Sequence, residues 1–415
     1  MKNVLHARCT CCGKTWDAVP DTTVCPSCSG ILDIEYDYDC IRASLTKDEL
    51  RSRTDPTMWR YMEFLPVDGI GKRPRLKVGG SPLYEADRLA AKLGIKKLWI
   101  KDDGLNPTAS LKDRASAMAV VKAEEAGKNI IACSSTGNAA SSLAGNAARA
   151  GLQTFIFVPS RAPIGKIAQL MTFGATVISV EGSYEDTFRV SAEAIDRWGW
   201  YNRNAAINPY LMEGKKTVSL EICEQLNFEM PDYLAISVGD GCTIGGVWKG
   251  LRDMYGAGFI DRLPRLISVQ AEGCCPINTA AAAGTEEWTP QEENTIADSI
   301  AVGVPRNPLK AIRAIKESNG ITVNVSDEEI LDAMRILGRE AGVFAEPAGA
   351  TGTAGLKKAV ENGLIEKDAT VVSVVTGNGL KDVNNAIRAA GEPIRIAPDM
   401  SQLLAAFDRL NLGLK

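Results

Sequence analysis

The chain has 415 residues, 45% of them hydrophobic and 24% charged, with a formal net charge of −4, which is enough for two α/β domains with sizeable cores and a small appendage. The acidic balance gives no electrostatic reason for nucleic acid or an anionic membrane as a partner, and there is no run of about 18 apolar residues to span a bilayer. The single histidine, His6, excludes Ser-His-Asp, Cys-His and two-histidine metal chemistry from the body of the chain and leaves proton transfer to lysine, carboxylates, hydroxyls or a cofactor.

The start, Met1-Lys2-Asn3-Val4-Leu5-His6, lacks an apolar signal core, so a cytoplasmic location is the expectation. Cys9-x2-Cys12-Gly13 and Cys25-Pro26-x-Cys28 follow. Two short loops that each offer two thiolates have the spacing of a tetrahedral metal site, and bound zinc would supply folding energy that a unit of about 40 residues cannot draw from its core. Residues 1–40 therefore read as a zinc ribbon with Cys9, Cys12, Cys25 and Cys28 as ligands; iron in the same cage, or a degenerate module without metal, fits the spacing too. Four thiolates close the coordination sphere, which makes the metal structural. Cys11 and Cys40 read as bystanders, and a disulfide framework is not expected without secretion. Residues 41–80, charged and punctuated by Pro and Gly around Trp59-Arg60-Tyr61, read as a linker wrapped onto the body.

From Leu98 onward, short apolar runs alternate with helical stretches. The runs are Leu98–Ile100, Ile130–Cys133, Thr154–Val158 and Thr176–Val180, then Tyr233–Val238, Arg265–Val269 and Thr370–Val375. This alternation predicts an α/β protein with two doubly wound parallel-sheet domains, 81–205 and 206–415, and a cleft between them. Residues 280–300, Ala-rich and then acidic, read as a surface excursion.

Three loops at the ends of these strands carry candidate chemistry. After Leu98–Ile100, the run Lys101-Asp102-Asp103-Gly104-Leu105-Asn106-Pro107-Thr108-Ala109-Ser110-Leu111-Lys112-Asp113-Arg114 is a turn and a helix start, with Ser110 expected as N-cap and Lys112 in the first helical turn. The positive end of the helix dipole disfavours a protonated amine there, and neutral lysine forms Schiff bases; a solvated surface lysine is the alternative. Ser134-Ser135-Thr136-Gly137-Asn138 opens the next helix, either as ligand groups or as a simple cap. Gly239-Asp240-Gly241-Cys242-Thr243-Ile244-Gly245-Gly246 can converge backbone N–H groups on a phosphate, although glycine turns after strands are common. Thr376 ends a Val-rich strand.

Together with Ala345-Glu346-Pro347-Ala348 and Thr376-Gly377-Asn378-Gly379-Leu380-Lys381-Asp382, these segments resemble, in order, the signatures of threonine synthases and their relatives, the fold type II pyridoxal phosphate enzymes. The resemblance covers roughly residues 75 to 390. It implies that Lys112 joins the cofactor covalently and acts as catalytic base, and that Asn138 bonds the cofactor's 3′-oxygen. By the same resemblance Ser135, Thr136 and Gly137 hold the substrate carboxylate. The resemblance also implies that Gly239, Asp240, Gly241, Cys242 and Thr243 cradle the cofactor phosphate, and the Asp240 carboxylate is expected to turn away. Thr376 stands where a hydroxyl faces the pyridine nitrogen in related enzymes, which implies elimination and replacement rather than transamination.

The implied reaction converts O-phospho-L-homoserine and water to L-threonine and phosphate. The alternative is a related β-elimination or β-replacement on serine, threonine or O-phosphoserine. The partner is then a small amino-acid substrate, and since relatives are often dimers a homodimer is the expected assembly. A rival class, a nucleic-acid-binding ribbon protein on an α/β scaffold, is opposed by the acidic balance and by the lack of an aromatic-basic face on the ribbon. The pattern departs from the family at Leu211, where relatives often have an arginine for the substrate phosphate. It departs too at Ala205 and Ala206, where several have polar side chains, and at Ala139, where a hydroxyl is common. Charge-assisted hydrogen bonds contribute about 1.5–3 kcal/mol each, so a phosphate needs replacements, and Lys166, Lys215, Lys216 and Arg203 are the candidates.

Overall fold

The computed structural model describes residues 1–162, 164–204 and 207–410; Ala205 and Ala206 lie outside the described residues. The N-terminal unit is an antiparallel sheet of β1 (Val4–Cys9), β2 (Thr15–Trp16) and β3 (Leu32–Tyr36) in the order β2-β1-β3. In β3, Leu32, Ile34 and Tyr36 are buried and alternate with half-buried Asp33 and Glu35, the pattern of a strand with one face on a core. That face meets the body: the Tyr36 hydroxyl donates to Glu213 (2.5 Å), Lys249 Nζ to the Ile34 carbonyl (2.6 Å) and Lys310 Nζ to the Leu32 carbonyl (2.8 Å). In the segment that follows, Met58, Trp59, Tyr61 and Phe64 are buried in the core that the body shares.

The body contributes β4 (Leu83–Glu85), β5 (Lys97–Asp102), β6 (Ile130–Ser134), β7 (Gln153–Pro159), β8 (Thr176–Val180), β9 (Tyr201–Asn202), β10 (Tyr233–Ser237), β11 (Arg265–Ala271), β12 (Ile321–Val325) and β13 (Thr370–Val375). They form a four-stranded parallel sheet, β8-β7-β6-β9, and a six-stranded sheet, β12-β11-β10-β13-β5-β4, parallel except for the edge strand β4. Every strand expected from the apolar runs is present, in the α/β class expected. Chain order and sheet membership part at β4 and β5, which join β10–β13 before the chain crosses to β6.

That crossing places the site. Because β13 lies between β5 and β10 with all three parallel, the loops after them leave side by side at one carboxyl edge, where open α/β sheets bind ligands. Residues 281–295 lie at the surface as expected, and the excursion turns inward only at its end. Ala297 is fully buried and Ile300 nearly so, because apolar residues within the acidic stretch fold back onto the glycine loop after β10. Among the described residues no helix is long and apolar enough to cross a membrane.

Candidate active site

Lys112 opens the helix Lys112–Glu125. The cap differs from the expected one: Leu111 precedes the helix without a side-chain cap, while Ser110 is buried in a bridge to Gly377, its hydroxyl unbonded among the described residues. The turn is held by Asp113, which accepts from the Thr108 N–H (2.7 Å), the Thr108 hydroxyl (2.8 Å) and Asn146 Nδ2 (2.8 Å). Leu111 N–H donates to the Thr376 carbonyl (2.9 Å), which ties the lysine turn to the end of β13.

Behind the turn lies a buried ionic staple. Arg114 donates to Asp103 through Nε (2.7 Å) and Nη2 (2.8 Å), and to Glu221 through Nη1 (2.6 Å) and Nη2 (2.8 Å). Lys101 Nζ, from β5, completes it on Glu221 (2.7 Å). The Arg114 and Lys101 charges hold the Glu221 carboxyl well below its ordinary range against the cost of burial. The staple locks the end of β5, the lysine helix and the helix Pro209–Gln225 into one unit.

Lys112, Ser135, Thr136, Gly137, Asn138, Gly239, Asp240, Gly241, Cys242, Thr243 and Thr376 all line one cavity of about 420 Å³, although they come from both sheets. Burial and the neighbouring charges of Lys215 and Arg203 push the Lys112 amine down to about 8, the neutral, nucleophilic direction. The glycine loop runs into the helix Cys242–Gly256. A Cβ on Gly239 would stand 2.7 Å from Ile300 Cα, and one on Gly241, at φ 88°, 2.3 Å from the Asn307 carbonyl oxygen; only glycine permits this approach. The Asp240 carboxylate accepts from the Arg306 backbone N–H (2.6 Å).

Asn138 opens the helix Asn138–Ala150, and its Nδ2 donates to Glu346 Oε1 (2.7 Å). Burial lifts the Glu346 carboxyl to about 7, against the opposing pull of Asn138 and Lys112. The run Ala345–Ala348 marks Glu346 in the sequence as part of a signature, but its contact with Asn138 across 208 positions is not readable from spacing. A wider cleft of about 660 Å³ shares Asn138, Glu346 and Asp298 with this cavity and reaches Lys381.

The departures from the family pattern sort themselves by place. Leu211 is buried among apolar side chains that include Ala115 and Ala119 of the lysine helix. Ala139 lines the cavity. Lys216 is fully buried on Glu213 (2.5 Å) and Asp253 (2.6 Å), beneath the ribbon, and Lys166 pairs with Asp298. Arg203 and Lys215 line the cavity itself.

In the ribbon, the sulfurs of Cys9, Cys12, Cys25 and Cys28 lie within 4.8 Å of one another, with Cys9–Cys28 at 3.5 Å and Cys12–Cys25 at 3.7 Å. A tetrahedron with zinc–sulfur bonds of about 2.3 Å has edges of about 3.8 Å. The Cys12 backbone N–H points at Cys9 Sγ (3.5 Å), as in a metal knuckle. His6 bonds Glu35 (2.6 Å) in the same small sheet.

A family model for pyridoxal-phosphate dependent enzymes matches residues 75–377. The chain belongs to that family. It is similar to the threonine synthase of Methanocaldococcus jannaschii, 42% identical over 398 residues that cover 95% of this chain and 98% of that protein. It is similar also to the threonine synthase of Methanosarcina acetivorans, 41% identical over 405 residues, covering 97% of this chain and 98% of that one. Among solved structures, diaminopropionate ammonia lyase from Escherichia coli matches with a TM-score of 0.65 at 22% identity, over 82% of this chain and 92% of that one. Maize serine racemase matches with a TM-score of 0.62 at 22% identity, over 80% and 93%; these two likenesses concern the fold.

The cavity fits the family's cofactor. A buried amine with a lowered pKa suits an aldehyde. A glycine cradle at the start of a 15-residue helix, with its one carboxylate turned onto backbone, suits a phosphate dianion. An amide at Asn138 and a hydroxyl at Thr376 suit the ring's polar edges.

Proposed function

We propose that the chain is a pyridoxal phosphate-dependent lyase that makes L-threonine and phosphate from O-phospho-L-homoserine and water. The observation that carries this reading is the 42% identity to a threonine synthase along 98% of that protein's length, joined to a buried lysine in a cavity shared by every candidate loop. Lys112 would hold the cofactor's aldehyde, Gly239–Thr243 its phosphate, Asn138 its 3′-oxygen and Thr376 its ring nitrogen. When bound, the cofactor supplies a sink for charge that develops at the substrate's Cα.

The rest falls to the chain. The amine of Lys112, its pKa lowered to about 8 by burial and by Lys215 and Arg203, accepts the Cα proton in its neutral form. Ser135, Thr136 and Gly137, before the helix at Asn138, bind the substrate carboxylate at a positive helix end. Ile300 packs against Gly239 and lines the same cavity. Turnover of O-phospho-L-homoserine with one phosphate released per threonine, and without ammonia, tests the reading. Ammonia release without threonine would replace it with β-elimination.

In the same reading, Cys9, Cys12, Cys25 and Cys28 hold one structural zinc, the enzyme is cytoplasmic, and it works as a homodimer without nucleic acid. Support for the dimer is the set of exposed apolar side chains Ile387, Ile394, Met400 and Leu404 near the C-terminal end.

A further inference from the structure

Among the described residues, buried cations other than the cofactor lysine Lys112 have carboxylate partners, except Arg203 and Lys215. Lys101 and Arg114 pair with Glu221, Lys122 with Glu125, Lys216 and Lys249 with Glu213 and Asp253, and Lys310 with Asp33. Arg203 and Lys215 are as deeply buried, 1% and 3% exposed, yet among the described residues no carboxylate reaches ion-pair distance of either. An unpaired charge is costly inside a protein, so Arg203 and Lys215, left unpaired beside Lys112, are placed to meet an anion that arrives from outside.

Their placement says which anion. Both line the cavity that holds Lys112. Arg203 directly follows β9, its backbone N–H donating to the Ala132 carbonyl of β6 (2.9 Å). Its Nε and Nη2 converge on the Ser116 hydroxyl (3.2 and 3.1 Å), itself shared with Ser142 (2.7 Å), and Nη1 has no partner among the described residues. Ser116 thus fixes one edge of the guanidinium and leaves the other for a ligand, the geometry for planar recognition of phosphate. Of the four cations that could replace the arginine absent at Leu211, Lys166 and Lys216 are already paired. We propose that Arg203 and Lys215 form the pocket for the phosphate leaving group of the substrate, a proposal that rests on the function proposed above. The cofactor's own phosphate keeps the backbone donors of the glycine loop. The pair therefore determines specificity for a phosphorylated amino acid.

The test uses the cofactor-loaded full chain, with inorganic phosphate as probe and competitive inhibitor. Arg203→Met is expected to raise both KM for O-phospho-L-homoserine and the inhibition constant of phosphate about 30-fold or more, and Lys215→Met about tenfold, corresponding to lost charge-assisted contacts. Cofactor content, read from visible absorbance, stays full, Arg203→Lys recovers part of the affinity, and Lys367→Ala, at an exposed lysine, changes neither constant. If Arg203→Met folds poorly, Ser116→Ala, which removes the tether and the bond to Ser142 but keeps the guanidinium charge, is expected to weaken phosphate several-fold. Undiminished phosphate affinity in these variants would overturn the proposal, as would loss of the cofactor together with the phosphate, which would assign both cations to the cofactor. Failure of the unaltered enzyme to release phosphate, with phosphate still bound at Arg203, would instead refute the reaction.

Discussion

A lysine with an appreciable neutral fraction close to physiological pH is at once a nucleophile for an aldehyde and a base for a Cα proton, and Lys112 owes that fraction to its surroundings. Burial and the Lys215 and Arg203 charges lower its pKa to about 8, while Glu346 opposes them. The neutral fraction grows as pH rises through that value. The rate at which the apoprotein takes up pyridoxal phosphate is therefore expected to climb with pH and level off above about 8, where an ordinary lysine would still be gaining near 10. Stopped-flow absorbance measures this directly. Glu346→Gln removes the carboxylate that supports the protonated amine, so the midpoint of that profile should move to lower pH. Lys112 and Asn138 were legible because each follows a strand-ending run and opens a helix. The Ser110 cap was misread because a serine before a helix usually caps it, whereas here the bridge to Gly377 turns it inward. The importance of Glu346 and Arg203 depends on contacts between distant segments and on the absence of partners, neither of which spacing records.

Among the elements, the carboxyl edge shared by β5, β10 and β13 does the positioning, and the Arg114 staple keeps it in register. Removing one partner leaves buried charge uncompensated, at a cost of about 3–5 kcal/mol. Glu221→Ala is thus expected to lower the unfolding free energy by that amount, read as a lower denaturant midpoint at unchanged slope, and to cost activity in the folded fraction through a displaced Lys112 turn. Gly241→Ala meets both a left-handed backbone and the Asn307 carbonyl. It is expected to weaken cofactor binding by tenfold or more in equilibrium dialysis while leaving the helical far-ultraviolet signal intact. The strands themselves were readable because parallel strands covered on both faces become continuous Val and Ile runs; Val371, Val372, Val374 and Val375 of β13 are all fully buried. β9, only Tyr201–Asn202, is too short to leave such a run. The return of residues 296–300 was hidden by acidic neighbours that remain at the surface.

At the scale of the whole molecule, the ribbon docks on the back of the catalytic unit. Tyr36 bonds Glu213 and lies under Lys216, 4.0 Å from the ring centroid, and the same helix, Pro209–Gln225, carries Lys215 into the cavity. A small sheet with a few buried side chains depends on its metal for order. Metal analysis is expected to give one zinc per chain, and a strong chelator to lower the melting temperature and release residues 1–40 to proteolysis; Cys12→Ser should do the same without chelator. An unchanged melting curve after complete metal removal would mean that packing alone holds the ribbon. The account as a whole rests on one covalent bond. Borohydride reduction of the yellow protein, followed by peptide mapping, should place the cofactor on Lys112 and nowhere else, with a colourless Lys112→Ala protein that retains its fold. A cofactor fixed to another lysine, or a Lys112→Ala protein that remains yellow, would contradict it.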